Sequence, residues 1–314
     1  MTRVLVTGAR GFIGQHVLQS LQERGGYEIH ATTSRRVLDD GGSTASNTQN
    51  SEAIRCAWHS MDLLDESQIA PLLERVQPEF LLHMAWDTRP GLYWSSNDNF
   101  AWVRSSLKLQ EAFASCGGKR AVVAGTCAEY DWNYGFCSEG VTPCEPPTTY
   151  GLCKNSLRLM LEAHARQNNL SFAWGRIFFL YGPDEPAQKL VASIINALLR
   201  DEPALCSHGE QIRDFLHVAD VAEAFVALLE SEANGAVNIA SGQPVALREV
   251  ALAVGEKIGC RDLVRLGARP TAENEPPLLV ADVRRLRHEV GWSPRFDLDS
   301  GLEDTINWWK QQLG

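Results

Sequence analysis

The first half of the chain alternates short apolar runs with longer stretches in which apolar residues recur at helical spacing. The runs predict β-strands, and the longer stretches predict helices with one buried face. The predicted strands are residues 4–7, 27–33, 54–58, 79–86, 120–126 and 170–180. The predicted helices between them are residues 14–25, 66–76, 99–117 and 152–167. Strands that alternate with helices through short connections predict parallel βαβ units, and therefore a doubly wound α/β sheet.

The pattern changes after Leu180, where a Tyr-Gly-Pro turn cluster opens a less regular region. Polar and glycine-rich pieces there separate further predicted helices, at residues 188–200, 218–231, 282–290 and 299–312. We predict a smaller C-terminal α/β region that packs on the carboxyl ends of the sheet strands, where such folds bind their ligands.

Composition and charge narrow the class of protein. The 314 residues carry a formal net charge of −10, which argues against binding to nucleic acid or to an anionic membrane. No apolar run approaches the ~20 residues of a membrane span, and the N-terminus does not resemble a signal peptide, so we expect a cytoplasmic protein. The eight cysteines form no C-x-x-C pair. We therefore expect reduced thiols and no metal site, since the spacing of Cys137, Cys144 and Cys153 matches no usual ligand pattern.

A glycine-rich turn, TGARGFIG at residues 7–14, follows the first predicted strand and opens the first helix. Gly8 permits a tight turn, Gly11 lets the backbone approach a pyrophosphate, and Gly14 lets the helix pack closely on the strand. The free amides at the start of the helix then face the anion. The cofactor-binding residues predicted in this turn are Gly8, Gly11, Phe12, Ile13 and Gly14.

This turn predicts that the doubly wound sheet is of the Rossmann type. We assign residues 1–178 to a dinucleotide-binding domain, to which residues 214–241 return. Residues 179–314 would form mainly the substrate-binding region.

Further motifs follow the glycine turn in a fixed order. They are MDLLD (61–65), HMAW (83–86), GTCAEY (125–130), YGLCK (150–154), GRIFFLYGP (175–183), RDFLHVADVA (213–222) and NIASG (238–242). With the spacing T-G-x-x-G-x-x-G, they resemble the extended short-chain dehydrogenase/reductase superfamily, particularly its nucleotide-sugar epimerases, dehydratases and reductases. The resemblance runs over almost the whole chain.

The resemblance implies roles for residues at the ends of two strands. Asp62 and Leu63 resemble the pair that contacts the adenine, although Asp62 can also be an acid at a helix N-terminus. Residues 83–86 resemble the loop over the pyrophosphate and ribose of the cofactor, with His83 and Ala85 as cofactor contacts. The alternative for His83 is a hydrogen-bonded histidine of the core.

The end of the second strand favours NADP(H) over NAD. An NAD site usually has an acidic residue there for the ribose 2′-hydroxyl, but residues 31–38 contain no carboxylate and include Ser34, Arg35 and Arg36. Arginine forms charge-assisted hydrogen bonds to a 2′-phosphate, and Arg10 in the glycine turn passes close to the same ribose in this fold. The alternative is that Arg35 and Arg36 begin a solvated loop and that Arg10 lies on the surface.

Thr126, Tyr150 and Lys154 resemble the catalytic Thr/Ser–Tyr–Lys set of the superfamily. Tyr150 and Lys154 are four residues apart and share one helix face, while Thr126 ends the fifth predicted strand. Reduction of a ketone leaves an oxygen that needs a proton, which Tyr150 would supply. We expect the Lys154 ammonium and the nicotinamide charge to lower the phenol pKa. Lys154 would also hold the nicotinamide ribose, and Thr126 would orient the substrate oxygen.

The residues after Thr126 discriminate between reactions of the family. Its dehydratases place an Asp-Glu pair there, whereas this chain has Cys127 and Ala128, which argues against 4,6-dehydration. Its bifunctional epimerase-reductases use a cysteine at the position of Ala128, and Glu129 is shifted from the acid position. A pair for 3,5-epimerisation is therefore not evident.

Three side chains are candidates for binding the substrate, in addition to Thr126. Arg213 matches the arginine that holds the nucleotide-sugar pyrophosphate in relatives, and Lys189 can add a second charge; surface salt bridges are the alternative for both. Trp86, near Tyr93 and Trp94, can stack on a sugar or base or simply pack its loop.

These observations predict an NADP(H)-dependent reductase of a nucleotide-linked keto sugar, with a 4-keto-6-deoxyhexose as the favoured substrate. A nucleotide-sugar 4-epimerase that retains NAD is the main alternative. A non-catalytic, NADP-sensing regulator on the same fold is a third. The family resemblance also implies a homodimer formed through the helices at residues 99–117 and 152–167.

Overall fold

The structure is a computed structural model that describes residues 1–34, 55–271 and 275–313. The strands are β1 (Thr2–Thr7), β2 (Tyr27–Thr33), β3 (Ala57–Ser60), β4 (Phe80–His83), β5 (Arg120–Thr126), β6 (Phe136–Cys137), β7 (Ser171–Ile177), β8 (Phe179–Tyr181), β9 (Ala204–Leu205), β10 (Ile212–His217), β11 (Gly235–Ile239), β12 (Pro244–Ala246), β13 (Val264–Arg265) and β14 (Leu278–Ala281). The α-helices are α1 (Phe12–Arg24), α2 (Ile69–Val76), α3 (Asp98–Ser115), α4 (Thr149–Gln167), α5 (Leu190–Leu198), α6 (Val218–Glu230), α7 (Leu247–Ile258), α8 (Arg284–His288) and α9 (Leu298–Leu313).

A seven-stranded parallel sheet forms the main body, in the order β11-β7-β5-β4-β1-β2-β3. Its central strands β1, β4 and β5 carry uninterrupted apolar runs, with polar residues at their ends, because helices cover both faces of the sheet. Helices α1 and α6 cover one face, where Val17, Leu21 and Phe225 are fully buried. Helices α2, α3 and α4 cover the other face, where Leu73 and Phe113 are fully buried. The predicted doubly wound Rossmann fold is confirmed.

A second, smaller body contains the sheet β12-β10-β14-β6, with β8 paired to β10. Helices α5, α7 and α9 pack around a separate core that includes Tyr181, Ile195, Val254 and Leu302. Here β10 pairs antiparallel with β12 but parallel with β14 and β8. The carboxyl end of β7 leads through Phe178 directly into β8 of this body. The division of the chain into two domains at residue 178 stays a prediction.

Four predicted strands were wrong at their ends, the first of them because it begins at Thr2 rather than at residue 4. The third strand lies at residues 57–60 rather than 54–58, and as an edge strand it has no continuous buried run to mark its start. The fourth ends at His83, because the apolar residues that follow it pack as a loop. The predicted strand at 170–180 is two strands, β7 and β8, separated by Phe178, and they belong to different sheets. Because both strands are buried, the apolar run continues across Phe178 and does not reveal the break.

None of the helices among the described residues is long and apolar enough to cross a membrane. All eight cysteines lie within the described ranges, and none of them forms a disulfide. Across the same residues, no cluster of histidine, cysteine and acidic side chains has the arrangement of a metal site.

Candidate active site

The glycine turn between β1 and α1 is shaped by close backbone contacts. Gly8 has a φ of +70°, and a Cβ there would lie 2.7 Å from the Ala85 nitrogen and 2.8 Å from its Cα. At Gly14, a Cβ would lie 2.8 Å from the Ala9 Cα and would also collide with the Gly8 carbonyl oxygen. Any side chain at Gly8 or Gly14 would therefore push the turn away from its neighbours. Ala85, predicted as a cofactor contact, lies directly against this turn.

The start of α1 is suited to an anion. Its N-cap is Gly11, which has no side chain to bond the free amides, and the first turn, which is described in full, has no acidic residue. Phe12 and Ile13 are the first residues of the helix. Uncapped amides at a helix N-terminus beside a glycine turn fit the pyrophosphate of a dinucleotide. These residues would hold that part of the cofactor.

Arg10 is held at the edge of the sheet beyond the glycine turn. Its guanidinium carbon lies 4.5 Å from the centroid of the Trp58 ring, which belongs to β3. Ser34 follows β2 directly and is exposed. Arg35 and Arg36 lie outside the described residues. The structure thus places one of the three predicted arginines against β3.

Asp62 and Leu63 follow β3, as the motif predicts. The Asp62 carboxylate accepts a hydrogen bond of 3.0 Å from the backbone amide of Leu64. Leu63 is buried against the core between the sheet and α2. Asp62 therefore stabilises its own turn, while its contact with an adenine stays a prediction.

His83 at the end of β4 is a buried histidine with both ring nitrogens in use. Its Nδ1 lies 2.6 Å from the Thr7 hydroxyl, and its Nε2 lies 2.8 Å from the Ser106 hydroxyl. Burial, with a contribution from the nearby Lys154 ammonium, lowers the pKa of His83 to about 3. The neutral ring thus joins β1, β4 and α3, and the cofactor contact of His83 stays a prediction.

Thr126, Tyr150 and Lys154 are brought together from β5 and α4. The Thr126 side chain lies within hydrogen-bonding reach of the Tyr150 phenol. The Lys154 Nζ donates a 2.8 Å hydrogen bond to the Ala124 carbonyl oxygen, which fixes the ammonium beside β5. Thr148 caps the start of α4 by accepting a hydrogen bond from Gly151. The helix start and the strand end therefore set the spacing of the three groups.

The phenol pKa differs from the sequence-based expectation. Burial raises the pKa of Tyr150, the neighbouring Tyr93 raises it further, and the hydrogen bond with Thr126 opposes this shift. The expected lowering by Lys154 is not seen, because the ammonium is bonded to the Ala124 carbonyl oxygen and the phenol is enclosed. A phenol that keeps its proton at neutral pH is the form that a ketone reduction needs.

Lys154 itself titrates near neutrality. It is almost fully buried, and this burial lowers its pKa from 10.5 to about 7, against the opposing effect of Glu129. Its Nζ lies 3.9 Å from the centroid of the Trp86 ring and 5.5 Å from that of Trp174. The two rings enclose the ammonium and explain its desolvation.

An aromatic wall surrounds the phenol; we define it as Trp86, Tyr93 and Trp94. The three rings meet the Tyr150 ring edge-on, at centroid distances of 6.3, 4.8 and 5.8 Å. The Trp86 indole donates a 2.9 Å hydrogen bond to Asn99, so its polar atom is already used. Its ring also contacts the Lys154 ammonium and stacks on Trp102, and a contact with the substrate stays a prediction.

The two predicted cationic substrate contacts lie on different segments. Arg213 is buried on β10, where its guanidinium donates to the Glu275 carboxylate at 3.0 Å and lies 5.2 Å from the Phe179 ring. Burial lowers the pKa of Arg213, and Glu275 opposes that effect. Lys189 precedes α5, with its Nζ 5.8 Å from the Tyr93 ring of the aromatic wall. Substrate binding by both stays a prediction.

Glu129 is a residue whose role the sequence analysis did not find. It is fully buried, so it does not line the substrate cleft, and it forms a reciprocal capping box with Thr126. The spacing T-x-x-E at residues 126–129 is the sequence signal that can reveal such a box. Its buried ion-pair partner, Arg176, lies on β7 and has no local signal.

The fold and the glycine turn define a dinucleotide-binding α/β protein, in which Thr126, Tyr150 and Lys154 lie close together. The chain belongs to the NAD dependent epimerase/dehydratase family, whose model matches residues 4–240. This membership confirms the predicted resemblance to the extended nucleotide-sugar enzymes.

Individual relatives extend over nearly the full length. The chain is 27% identical to CDP-abequose synthase of Salmonella typhimurium, over 96% of this chain and 97% of that protein. It is 29% identical to UDP-glucose 4-epimerase of Azospirillum brasilense, over 98% and 91%. Among solved structures, MoeE5 in complex with UDP-glucuronic acid and NAD is 28% identical, with a TM-score of 0.81 over 99% of both chains. The family therefore supports a nicotinamide dinucleotide as the cofactor.

Proposed function

We propose that this protein reduces the keto group of a nucleotide-linked 4-keto-6-deoxyhexose with NADPH. The observation that carries this proposal is the convergence of Thr126, Tyr150 and Lys154 at the end of β5 and the start of α4. Cys127 and Ala128 occupy the positions where the family's dehydratases carry acids. Reduction needs one proton donor and an orienting hydroxyl, and both are present, whereas elimination of water needs carboxylates at those two positions.

The chemistry divides between the cofactor and the protein. When bound, the nicotinamide supplies the hydride. The Tyr150 phenol holds the proton that the substrate oxygen must gain, and burial keeps that proton in place at neutral pH. Thr126 donates a hydrogen bond that orients the same oxygen. Lys154 holds the ribose of the cofactor.

The aromatic wall supports a deoxy sugar. Trp86, Tyr93 and Trp94 present ring surface beside Tyr150. A methyl group at C6 packs on such surface, whereas a hydroxyl there would lose hydrogen bonds to water without replacement. One relative, CDP-abequose synthase, is by its name an enzyme of nucleotide-linked sugars, which also supports this substrate class.

The reaction can be tested directly with a panel of nucleotide 4-keto-6-deoxy sugars and NADPH, followed by loss of absorbance of the reduced nicotinamide. Tyr150→Phe should lower kcat by about 10²–10⁴, the usual worth of a positioned acid, while NADPH binding stays intact. Tyr134→Phe, which changes an exposed tyrosine, is the matched control and should retain full activity. If Tyr150→Phe kept wild-type activity, the proposed mechanism would be wrong.

The preference for NADPH is supported by Arg10 and by the absence of a carboxylate in the described end of β2. Arg10→Ala should raise the Kd of NADPH at least about tenfold, because a hydrogen bond to a charged group contributes about 1.5–3 kcal/mol. The Kd of NADH should not change. Fluorescence titration of both cofactors measures this, with Arg24→Ala at the far end of α1 as control. Wild-type protein that binds NADH as tightly as NADPH would refute the preference.

A second candidate is an NAD-dependent nucleotide-sugar 4-epimerase. It is favoured by the identity of 29% to a UDP-glucose 4-epimerase and by NAD in the complex of MoeE5. Purified protein that carries tightly bound NAD and interconverts nucleotide sugars without consuming NADPH would establish it. An NADP-sensing regulator would instead keep its biological output in the Tyr150→Phe variant.

We also propose a homodimer formed through α3 and α4. The two helices pack against each other and leave large apolar side chains exposed. These are Phe100, Leu152, Leu159 and Met160, with exposed fractions between 40% and 53%. Neighbouring helices with apolar residues on their outer faces are suited to a four-helix bundle between two copies.

A further inference from the structure

Glu129 sits at the centre of a buried polar network behind the catalytic groups. One carboxylate oxygen accepts two hydrogen bonds of 2.8 Å, from the backbone amide of Thr126 and from the indole of Trp174. The other oxygen accepts a 2.8 Å hydrogen bond from the Arg176 guanidinium. A carboxylate without solvent contact is retained only when such partners satisfy it.

The network reaches two of the three catalytic groups. Thr126 is held through its own main chain, because Glu129 accepts from its amide while the Thr126 hydroxyl accepts from Ala128. Lys154 lies over the face of the Trp174 ring, whose centroid is 5.5 Å from its Nζ. The same indole therefore touches the Glu129 carboxylate and borders the ammonium.

We propose that Glu129 is a positioning residue: it fixes the main chain that carries the Thr126 hydroxyl and supplies the negative charge that faces the Lys154 ammonium. The inference rests on the proposed function, since it assigns Thr126 and Lys154 to catalysis. Glu129 touches neither substrate nor cofactor and acts through these two residues.

The charges around Lys154 support this role. Glu129 faces it from the turn after β5, His83 from β4, and Tyr150 from its own helix; the last two are neutral at pH 7. Glu129 raises the pKa of Lys154 against its burial. Arg176 faces Glu129 from β7 and remains when the carboxylate is lost. Removal of the Glu129 charge should therefore shift the Lys154 pKa below its value of about 7.

The test compares Glu129→Gln, Glu129→Asp and wild type by two measurements across pH. The first is the Kd of NADPH from fluorescence titration, which needs no sugar substrate. The second is kcat/KM for reduction. Glu139→Gln is the matched control, because Glu139 is partly buried and accepts a hydrogen bond of 2.8 Å from the backbone amide of Asn238.

In wild type, NADPH binding should weaken as Lys154 loses its proton. In Glu129→Gln, the weakening of NADPH binding and the alkaline limb of kcat/KM should both occur about one pH unit lower than in wild type. Activity at alkaline pH should therefore be about tenfold lower. Glu129→Asp keeps the charge but is shorter, so its pH limbs should stay in place while kcat falls. Glu139→Gln should match wild type.

The inference would be overturned if the dependence of the NADPH Kd on pH were the same in Glu129→Gln as in wild type. It would also be overturned if the wild-type Kd did not change with pH, or if Glu129→Asp shifted the curve as much as Glu129→Gln. If Glu129→Gln does not fold, the double variant Glu129→Gln/Arg176→Gln, which removes both buried charges, is used in its place. Its pH limbs should shift in the same direction, to lower pH. If no variant reduces any nucleotide sugar, the proposed function is wrong, but the binding curves still decide the role of Glu129.

Discussion

Replacement of Gly8 by alanine tests whether the glycine turn is shaped by close backbone contact. The residue has a φ of +70°, and the new Cβ would lie 2.7–2.8 Å from three atoms of Met84 and Ala85, all of them backbone atoms. The left-handed conformation costs about 1–2 kcal/mol for a residue with a side chain. Overpacking against atoms that cannot rotate away adds about 1–3 kcal/mol. The free energy of unfolding should therefore fall by about 2–5 kcal/mol.

Gly259→Ala is the matched control, since Gly259 has a φ of +85° but open space where the Cβ would be. It should lose only the conformational part, about 1–2 kcal/mol, and should bind NADPH normally. Gly8→Ala should also bind NADPH more than about tenfold less tightly, because the turn must move away from the helix amides that receive the pyrophosphate. Urea unfolding and fluorescence titration measure the two effects. Equal stability of the two variants, or unchanged NADPH affinity in Gly8→Ala, would refute the reasoning.

Three further predictions concern the cofactor corner, the core and the proposed dimer. Trp58→Ala removes the ring beside the Arg10 guanidinium and should weaken NADPH binding about two- to fivefold, since an exposed cation–π contact contributes about 0.5–1 kcal/mol; titration with NADH, which should not change, is the control. The pKa of His83 is about 3 in the fold against an ordinary 6.5, so the unfolded chain binds the extra proton between these values. The free energy of unfolding should therefore fall as the pH drops through this range, by up to about 1.4 kcal/mol per unit. His83→Asn should flatten that slope in urea unfolding, and an unchanged slope would contradict the assignment. Leu159→Glu should convert dimers to monomers in sedimentation, whereas Leu313→Glu, on another exposed helix end, should not; a monomeric wild type would rule out the dimer.

Local patterns were sufficient to predict six of the seven strands of the main sheet, but not β11 or the ends of several others. The parallel sheet follows from apolar runs that alternate with helices, and helices cover both faces as expected. Phe178 shows the limit of this reasoning. An apolar run is buried equally well in one sheet or across two, so hydrophobic pattern alone cannot reveal that β7 and β8 pair with different partners.

Some features of the candidate site could likewise be predicted from the sequence, whereas others could not. Tyr150 and Lys154 share a helix face, so their proximity could be predicted from spacing alone. The ion pair between Glu129 and Arg176 joins residues 47 positions apart and needs the folded sheet to bring them together. The raised pKa of Tyr150 likewise depends on the distant loop that carries Tyr93. Long-range burial, rather than residue type, decides such properties.

The break at Phe178 also limits how this protein can be cut and recombined. A single residue joins the large sheet to the small one, and its amide bonds to Ile239 on β11, a strand that the chain adds to the large sheet only after passing through the small body. A chain that ended there would lack β11, the outermost strand of the large sheet. The edge of β7 would then be exposed and could pair with another molecule. The two bodies therefore cannot be exchanged with those of a relative by a single junction at Phe178. A chimera meant to transfer sugar preference should instead exchange individual side chains.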